Sequence, residues 1–275
     1  MREFAVLFII LLTVSVSAQV KIKGSRVVTL TKKEIADFDN LEVGNNLEIF
    51  LIKGNTCGVE IEADDNLHDL IDINLHAGTL QLSALKEVTG AKKFSVRVTY
   101  TDGFKMVTAK GQSNITALSD ITLDNFTFKS YDAAKIFANV KSKVFILSAN
   151  DKSKTQLNVT SEQTTIDLSK NAQLKALIST TEMQFDMYQK STAVIEGDVI
   201  DLKLRLDNNS SFTGKGLTSK NAQLVMEGYT NCSILVNNTI TIDASGKSEI
   251  DLYGEQKIDL RKFADNAVLR KKMIQ

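Results

Sequence analysis

The sequence predicts an all-β protein whose main part is a parallel β-helix, a solenoid in which each turn of the chain stacks on the previous one. Three observations predict this fold. A pair of short apolar segments recurs between residues 109 and 270, the 275-residue chain contains no Pro, and no segment has a helical period over a substantial length. Recurrence at nearly constant spacing is typical of solenoids. Pro would remove a hydrogen-bond donor from a strand ladder, so its absence favours long stacks of strands.

The amino terminus, residues 1–18, has the pattern of a secretory signal peptide. Arg2 supplies a positive charge, residues 5–14 form an apolar run, and Val16-Ser17-Ala18 is a small-residue cleavage site. This run is shorter than the roughly 18 apolar residues that a membrane-spanning helix needs, and no later segment reaches that length. We therefore expect an exported protein without a membrane span, located in the periplasm, on the outer surface or in the medium.

Residues 19–106 predict an irregular amino-terminal β region that packs on the solenoid. Apolar and polar residues alternate in segments such as 59–62, 71–75 and 94–100, as expected for half-buried strands. Turn-forming residues separate these segments, for example at 43–46 and 53–55. Residues 66–70 are compatible with a single helical turn.

Residues 107–275 predict the β-helix itself, with about eight turns of about 20 residues and two strands in each turn. One apolar residue from the first strand of each turn marks the repeat, and the spacing of successive markers varies by only a few positions around this period. These markers are Ile115, Ile136, Leu157, Leu174, Val194, Phe212, Ile234, Ile250 and Val268. Basic residues after position 260 are expected to cap the open end against edge-to-edge pairing.

The charge balance of the chain bears on its binding partners, and its two cysteines bear on disulfide formation. Thirty-three basic residues balance 33 acidic ones, which gives no electrostatic reason to expect a nucleic acid or an anionic membrane as partner. Two cysteines, Cys57 and Cys232, leave two interpretations open. They form a disulfide between the amino-terminal region and a late turn, or they are two small buried apolar residues.

Several segments, in this order, resemble the head GIN domain family of exported bacterial proteins, described as putative auto-transporter adhesins. The matching segments are residues 38–54, 59–66, 78–82 and 252–258. The resemblance covers about residues 35–270. It implies a right-handed β-helix, a role in cell adhesion and no established catalytic residues. The corners of the solenoid differ from the family's usual Gly-Ser-Gly pattern because they are rich in Asn, Asp and Ser, which also tolerate turn geometry.

An outward-facing acidic column is the most suggestive chemical feature of the second strands. Stacked carboxylates about 4.8 Å apart would repel one another, and bound Ca²⁺ would relieve the repulsion. The simpler interpretation is a solvated outer face interleaved with Lys and Asn, with no cofactor. The residues of this predicted column are Asp167, Asp186, Asp201, Asp243 and Asp259.

Exposed aromatic rings are a second candidate feature, because tyrosines near strand ends can present an amphipathic ring to a sugar. Tyr131, Tyr188, Tyr229 and Tyr253 lie at such positions, and Tyr188 and Tyr229 are taken as candidate binding residues. The alternative is that these rings cover the ends of the core.

These observations favour a non-enzymatic protein that presents a rigid β-helix surface to a glycan or a cell-envelope protein. The runner-up is an envelope structural module that self-associates through an open end or edge. A third hypothesis is a metal-dependent polysaccharide lyase that uses the aspartates for the metal and Lys203 or Arg205 as the base. Shape alone does not establish such an activity.

Overall fold

A computed structural model describes residues 21–273 of the chain. The predicted signal peptide lies outside these residues. The described part is all-β, with a single turn of 3₁₀ helix at His68–Leu70. The predicted β-solenoid is confirmed: parallel coils stack on one another for about nine turns.

The strands fall into an amino-terminal set and a set of long strands that follow the coils. The amino-terminal strands are β1 (Ile22–Lys23), β2 (Val28–Glu34), β3 (Asn40–Gly44), β4 (Glu48–Lys53), β5 (Gly58–Asp64), β6 (Ile71–His76), β7 (Thr79–Ala84), β8 (Val88–Thr89) and β9 (Phe94–Tyr100). The remaining strands are β10 (Met106–Ala109), β11 (Asn114–Ala117), β12 (Ile121–Thr122), β13 (Asn125–Ser130), β14 (Lys135–Ala149), β15 (Lys154–Leu168), β16 (Gln173–Met187), β17 (Thr192–Asp207), β18 (Ser211–Glu227), β19 (Asn231–Ala244), β20 (Glu249–Tyr253), β21 (Lys257–Phe263) and β22 (Val268–Lys271).

Each coil has two sides that meet at corners. We call the first side the stack that contains β4, β11, the first halves of β14 to β19, β20 and β22. The second side contains β3, β10, β13, the second halves of β14 to β19, and β21. In β14 to β19 the strand continues through the corner between the two sides, so a turn that was predicted as two strands is one long strand.

Parallel stacking begins earlier than the predicted boundary at residue 107. Strands β3 and β4 already pair in parallel with β10 and β11. On the other edge of these strands, β7 pairs in parallel with β3 and β9 pairs in parallel with β4. Antiparallel strands then follow: β5 and β2 on the first side and β6 on the second. Alternating half-buried residues look the same in parallel and antiparallel partners, so the sequence pattern did not separate them.

The register of the coils is more regular than the marker residues predicted. Strands β14 to β18 begin at Lys135, Lys154, Gln173, Thr192 and Ser211, and these starting positions are evenly spaced along the chain. Five of the nine markers do share one inward column. In that column the other coils contribute Thr155, Ala193, Cys232 and Leu269, each paired to its neighbours in the ladder.

Four markers were therefore placed in the wrong register. Leu157 and Ile234 are buried but lie two residues further along the strand, in the next inward column. Val194 and Val268 point outward and are more than a third exposed. In three of these coils the true inward residue is small or polar, namely Thr155, Ala193 or Cys232, and an apolar neighbour was chosen instead. In the last coil, Val268 and the inward Leu269 are both apolar, so the sequence did not distinguish them.

One corner carries a column of residues with positive φ, one in each coil. The members are Gly111, Asp132, Asp151, Lys170, Gln189, Asn208, Gly228, Gly246 and Asp265, with φ between 52° and 76°. Asp132, Asp151 and Asp265 reinforce the corner, because each carboxylate accepts a hydrogen bond from a backbone N–H of the preceding coil. The left-handed conformation is tolerated best by Gly, Asn and Asp, which explains the corner composition.

Two residues after each of the first eight positive-φ positions the chain places a small residue that is fully buried. This column consists of Ser113, Ala134, Ser153, Ala172, Ser191, Ser210, Thr230 and Ser248. A larger side chain at the tight corner would collide with the coils above and below, since interiors of proteins are close-packed. A positive-φ residue followed two positions later by a small buried residue is therefore a pattern that marks this corner in successive coils.

The interior is filled by the inward apolar columns of both sides. Aromatic rings concentrate in the early coils, where Phe104, Phe126, Phe128 and Phe145 follow one another at centroid distances of 5.7, 4.8 and 6.3 Å. Tyr100 stacks on Phe104 at 4.7 Å, and burial raises the pKa of Tyr100 to about 12. Stacked and edge-on rings at these distances add to the stabilisation from burial.

Asp64 joins the first described residues to the solenoid. Its side chain is buried and accepts backbone hydrogen bonds from Arg26 at 2.7 Å, Lys93 at 3.0 Å and Lys92 at 3.1 Å. Burial by itself raises the pKa of this carboxyl group, but the three N–H donors outweigh it and hold the pKa below its ordinary value. The short pair β1–β8 is thereby tied to the end of β5.

The disulfide interpretation of Cys57 and Cys232 is wrong. Both cysteines are free and buried. Cys57 follows β4 and its Sγ lies 3.8 Å from Thr101 Oγ1, whereas Cys232 lies in β19, seven strand steps further along the stack. Seven steps correspond to on the order of 30 Å, far beyond the reach of a disulfide. The interpretation as two small buried residues is the one the structure supports.

Candidate functional site

A polar groove of about 520 Å³ runs along the second side of the solenoid across five coils. It lies between two outward-facing columns of side chains, and we call these fourteen residues the polar groove. One column is Gln163, Glu182, Asp201, Asn221 and Thr239, the other is Thr165, Gln184, Lys203, Gln223 and Thr241, and the floor is Thr164, Met183, Leu202 and Ala222.

Strand periodicity explains why these side chains share a groove. Residues i and i+2 of one strand point to the same face, and equivalent residues of successive coils are directly paired in the parallel ladder. Coils are spaced by about 4.8 Å, so five of them extend over about 19 Å. The backbone that holds the columns is a continuous hydrogen-bonded sheet, which leaves the groove little freedom to change shape.

One edge of the groove is ordered by side-chain hydrogen bonds. Asn221 Nδ2 donates to Asp201 Oδ1 at 2.9 Å, and Asn221 Oδ1 accepts from Asn238 Nδ2 and Thr239 Oγ1, both at 2.9 Å. On the other edge, Gln184 Nε2 donates to Asp186 Oδ2 at 2.9 Å. These bonds fix the amide groups in defined orientations.

Other polar side chains of the groove are free for a ligand. Within residues 21–273, the side chains of Glu182, Lys203 and Gln223 form no hydrogen bond and no ion pair with another residue, although they lie in adjacent coils. They are a carboxylate acceptor, an ammonium donor and an amide that does both. The groove therefore offers unpaired donors and acceptors on a fixed lattice.

The five predicted aspartates do not form a single acidic column. Asp167 and Asp186 are direct partners in the ladder, but the next residue of their column is Arg205, followed by Val225 and then Asp243. Asp201 and Asp259 belong to the two columns of the groove, where Asp201 pairs with Glu182 and Asp259 pairs with Thr241. The alternation in each strand was read correctly, but the offset between strands was not.

The Asp167–Asp186 pair is the acidic contact that remains. Burial, and then the charge of Asp186, raise the pKa of Asp167 above its ordinary value. Arg205 lies beside Asp186 and also faces Glu227 at 3.4 Å and Asp207 at 3.9 Å. In the part of the chain that is described, no group of three or more acidic, His or Cys side chains is arranged to hold a metal ion. The hypothesis of Ca²⁺ binding stays a prediction that now has only this pair of aspartates to support it.

Lys203 and Arg205, the two residues that the lyase hypothesis names as alternatives for the base, lie in different columns. Lys203 lies in the polar groove between Gln184 and Gln223. Arg205 lies in the neighbouring column and is engaged with carboxylates. The structure does not group either of them with a set of metal-binding carboxylates, so the arrangement that this chemistry needs is not assembled in the described residues.

Tyr188 and Tyr229 are both exposed, at 36% and 59%, and lie at the corner that carries the positive-φ column. Tyr188 precedes the positive-φ residue of its coil and Tyr229 follows that of a later coil, so they do not share a column. The ammonium of Lys247 lies 5.0 Å from the centroid of the Tyr229 ring, a cation–π contact. Tyr131 and Tyr253 are half-buried. The structure does not bring the four rings together in one platform.

A second hollow of about 540 Å³ lies on the first side. Its floor contains Ala138 and Ala176, and its rim includes the apolar residues Phe137, Leu177 and Val194. Gln156, Lys175 and Glu196 also line it. This hollow has polar groups of the same types as the groove, but it also contains apolar residues. It is therefore a suitable control surface for substitutions in the groove.

Sequence reasoning identified Asp201 as a binding residue and Lys203 only as a base in the lyase hypothesis, and it missed the rest of the groove. A signal was present, since polar residues recur in the sequence at 163, 182, 201, 221 and 239 and again at 165, 184, 203, 223 and 241. Gln, Asn and Thr at these positions are unremarkable in one strand. They become a site only when the coils are in register.

Among the helices of the described residues, none has the length and apolar character to cross a membrane.

Comparison with known proteins bears on the family and the fold of the chain. The profile of the family described as "Putative auto-transporter adhesin, head GIN domain" matches residues 37–255. No curated protein sequence shows a significant match to the chain.

Solved structures show the same fold at low sequence identity. A putative adhesin from Parabacteroides distasonis ATCC 8503 has a TM-score of 0.69 and 17% identity, covering 92% of this chain and 100% of that one. A putative adhesin from Parabacteroides merdae ATCC 43184 has a TM-score of 0.61 and 16% identity, with the same coverage. A putative lipid binding protein from Parabacteroides distasonis ATCC 8503 has a TM-score of 0.55 and 12% identity, covering 92% of this chain and 98% of that one.

Proposed function

Since the chain belongs to the family described as putative auto-transporter adhesins with a head GIN domain, we propose that it is an exported, non-enzymatic adhesin that binds a glycan through the polar groove. The observation that carries the proposal is the set of unpaired donors and acceptors that five coils of a rigid sheet present along one groove. Export rests on the signal-peptide pattern of residues 1–18 and on the family.

The chemistry of the groove suits a neutral or weakly charged carbohydrate. Each sugar hydroxyl both donates and accepts hydrogen bonds, so its binding site needs groups of both kinds at close spacing. Amides at Gln184 and Gln223 supply both, while Glu182 only accepts and Lys203 only donates. Repetition of such groups along about 19 Å favours an extended chain with repeating units over a compact ligand.

The rigidity of the scaffold also favours binding. Side chains on a paired strand lose less freedom when a ligand arrives than side chains on a loop, and preorganisation of this kind lowers the cost of binding. The hydrogen-bond chain from Asp201 through Asn221 holds one edge in place before the ligand arrives. A cell-envelope protein remains the alternative partner for the same surface.

The non-enzymatic character is supported by the descriptions of the family and of its solved relatives, which name adhesins rather than enzymes. Binding by an adhesin needs contacts that are numerous and geometrically constant, and it needs no group poised to transfer a proton. The groove meets the first requirement through the repetition of its coils.

The test is binding of the mature chain to a glycan array, with two triple variants. The groove variant carries Glu182→Ala, Lys203→Ala and Gln223→Ala. The control variant carries Glu196→Ala, Lys175→Ala and Gln156→Ala, which removes the same three side-chain types from the hollow on the first side. Both variants change side chains on the outer surface of the strands, so both are expected to fold.

The groove variant is expected to lose affinity and the control variant to keep it. Each hydrogen bond contributes about 0.5–1.5 kcal/mol, so three lost bonds weaken binding roughly 10- to 1000-fold. Absence of glycan binding by the unaltered chain would reject the proposal. Equal loss in both variants would show that the ligand is held elsewhere.

A further inference from the structure

At the carboxyl-terminal end of the solenoid, no part of residues 21–273 covers the core of the last coil. At the amino-terminal end, antiparallel strands close the stack, and their inward residues Ile61 and Ile71 are at most 6% exposed. At the other end, the inward residues Ile258, Leu260 and Phe263 of β21 are 39%, 48% and 41% exposed. They continue inward columns that are fully buried one coil earlier.

The two sides end at different levels. On the first side, β20 is followed by one more strand, β22. On the second side, β21 pairs with β19 and with no later strand among residues 21–273. The end is therefore a step, one strand higher on the first side than on the second. On the higher side the inward Lys271 closes the core, because its ammonium binds the carbonyl of Gly254 and Oε1 of Gln256.

We propose that a second copy of this chain covers this end, so that two solenoids join end to end around a two-fold axis parallel to the strands. Such an axis exchanges the two sides. The extra strand β22 of each copy then fills the missing level above β21 of the other. Strands of the two sides run in opposite directions, so the new pairs β21–β22 are antiparallel and both edges become hydrogen-bonded.

The register of these new pairs follows from the last corner. Ala267 donates to the carbonyl of Ala264 in a tight turn, so Phe263 and Leu269 are the inward residues nearest to this corner on the two sides. The two-fold keeps positions along the strand, which brings Leu269 of one copy against Phe263 of the second copy. The extra residue between Leu260 and Lys262 in β21 then shifts the pairing by one position. As a result the stem of Lys271 lies against Leu260, and Met273, which is 88% exposed, meets Ile258 of the second copy.

One outward charge pair is complementary in the same register. Lys272 of one copy lies opposite Asp259 of the second copy, and the symmetry repeats this pair. Within one chain these two groups have only long ion pairs, Lys272 with Asp251 at 3.8 Å and Asp259 with Arg261 at 3.6 Å. Exposed pairs of that length contribute little, so both groups are available. Arg270 lies opposite Lys262 of the second copy, but its charge is already paired with Glu249 of its own chain at 2.7 Å. An isologous contact of this kind closes on itself and forms a dimer, not a fibre.

The test measures the oligomeric state of the mature chain by sedimentation velocity over a range of protein concentrations. The unaltered chain is expected to be a dimer. Phe263→Glu is expected to be monomeric because it places a charge against the apolar Leu269 of the second copy. Leu177→Glu is the matched control, since Leu177 is 52% exposed on the first side away from the end, and this variant is expected to remain dimeric.

A charge exchange gives a second test that does not depend on an apolar residue. Asp259→Lys and Lys272→Asp, each alone, oppose like charges twice in the dimer and are expected to raise the dissociation constant roughly fivefold or more. The double variant restores both pairs and is expected to recover the dimer. A monomeric unaltered chain at high concentration overturns the proposal, as does a dimer that survives Phe263→Glu or a double variant that is no better than the single ones. Glycan binding through the groove is measured separately and does not depend on this outcome.

Discussion

Alanine substitution at two corner glycines gives a sharp test of the coil register. Gly228 and Gly246 occupy the same position in successive coils and both have a φ of 76°. A Cβ at position 228 would have its nearest neighbour, Asn208 N, at 3.7 Å, which is ordinary contact. A Cβ at position 246 would lie 2.8–2.9 Å from three backbone atoms of Gly228, which is too close.

The two substitutions should therefore differ in magnitude. Gly228→Ala costs only the left-handed conformation of a residue with a Cβ, about 1 kcal/mol after the gain from a less flexible unfolded chain. Gly246→Ala costs the same amount and adds the strain of a backbone collision, about 1–3 kcal/mol, for a total of about 2–4 kcal/mol. For a domain of this size 1 kcal/mol shifts Tm by roughly 2–4 °C, so the expected losses are about 2–4 °C and roughly 4–16 °C.

Thermal denaturation followed by circular dichroism measures both losses. The reverse substitution Gln189→Gly, at a residue with φ of 59°, should raise Tm slightly or leave it unchanged. The matched control Gln173→Gly, at the exposed first residue of β16, where φ is not positive, should lower Tm, because Gly adds freedom to the unfolded chain without relieving any backbone strain. Equal losses for the two alanine variants, or a loss for Gln189→Gly as large as that of Gln173→Gly, would refute the assignment of the corner.

Three further predictions concern ionisable groups. Asp64→Asn should lower Tm at pH 7, and the difference from the unaltered chain should shrink as the pH falls below the ordinary carboxyl pKa of about 3.9, because a depressed pKa stabilises the fold only while the group is ionised. Asp167→Asn should raise Tm at pH 7 and have no effect in acid, because a raised pKa destabilises the fold only above that pKa. The thiol of Cys232, whose pKa burial raises, should react with a thiol reagent only after unfolding, as should the buried thiol of Cys57.

For each of these predictions, a specific experimental result would contradict it. A difference between Asp64→Asn and the unaltered chain that stays constant from pH 7 into acid would show that the carboxylate charge is not what the backbone donors bind. A lower Tm for Asp167→Asn at pH 7 would mean that its ionised form is stabilised by a partner. Rapid labelling of either cysteine in the folded protein, or resistance to labelling after unfolding without reductant, would contradict two free buried thiols.

The fold was largely predictable because its determinants are local and repeated. Alternation in segments such as β5 and β9, the absence of Pro and the recurrence of turn residues all indicated stacked strands. The abundance of Asn, Asp and Ser at the corners also indicated turns, and Asp132 and Asn208 at these corners have positive φ. Lys170 and Gln189 at equivalent corners were missed, because neither residue type signals a left-handed conformation.

The candidate site was much less predictable. Asp201 was selected as part of an acidic column, and it does line the groove, but its neighbours across the coils are Glu182 and Asn221 and not the other aspartates. A column is defined by pairing between coils. An error of one or two residues in the length of a coil replaces every member of a column, so approximate periodicity does not identify a site.

By itself, the sequence determined that this chain forms strands with one buried face and coils them with a nearly constant period, since alternation and turn chemistry act over a few residues. Only the tertiary structure decided the register of the coils, the start of parallel stacking at β3 and the step at the carboxyl-terminal end. Those features depend on which residues meet across coils that are a full turn of the solenoid apart in the chain, and that choice belongs to the packing of the whole stack. The groove and the open end both exist because of that register.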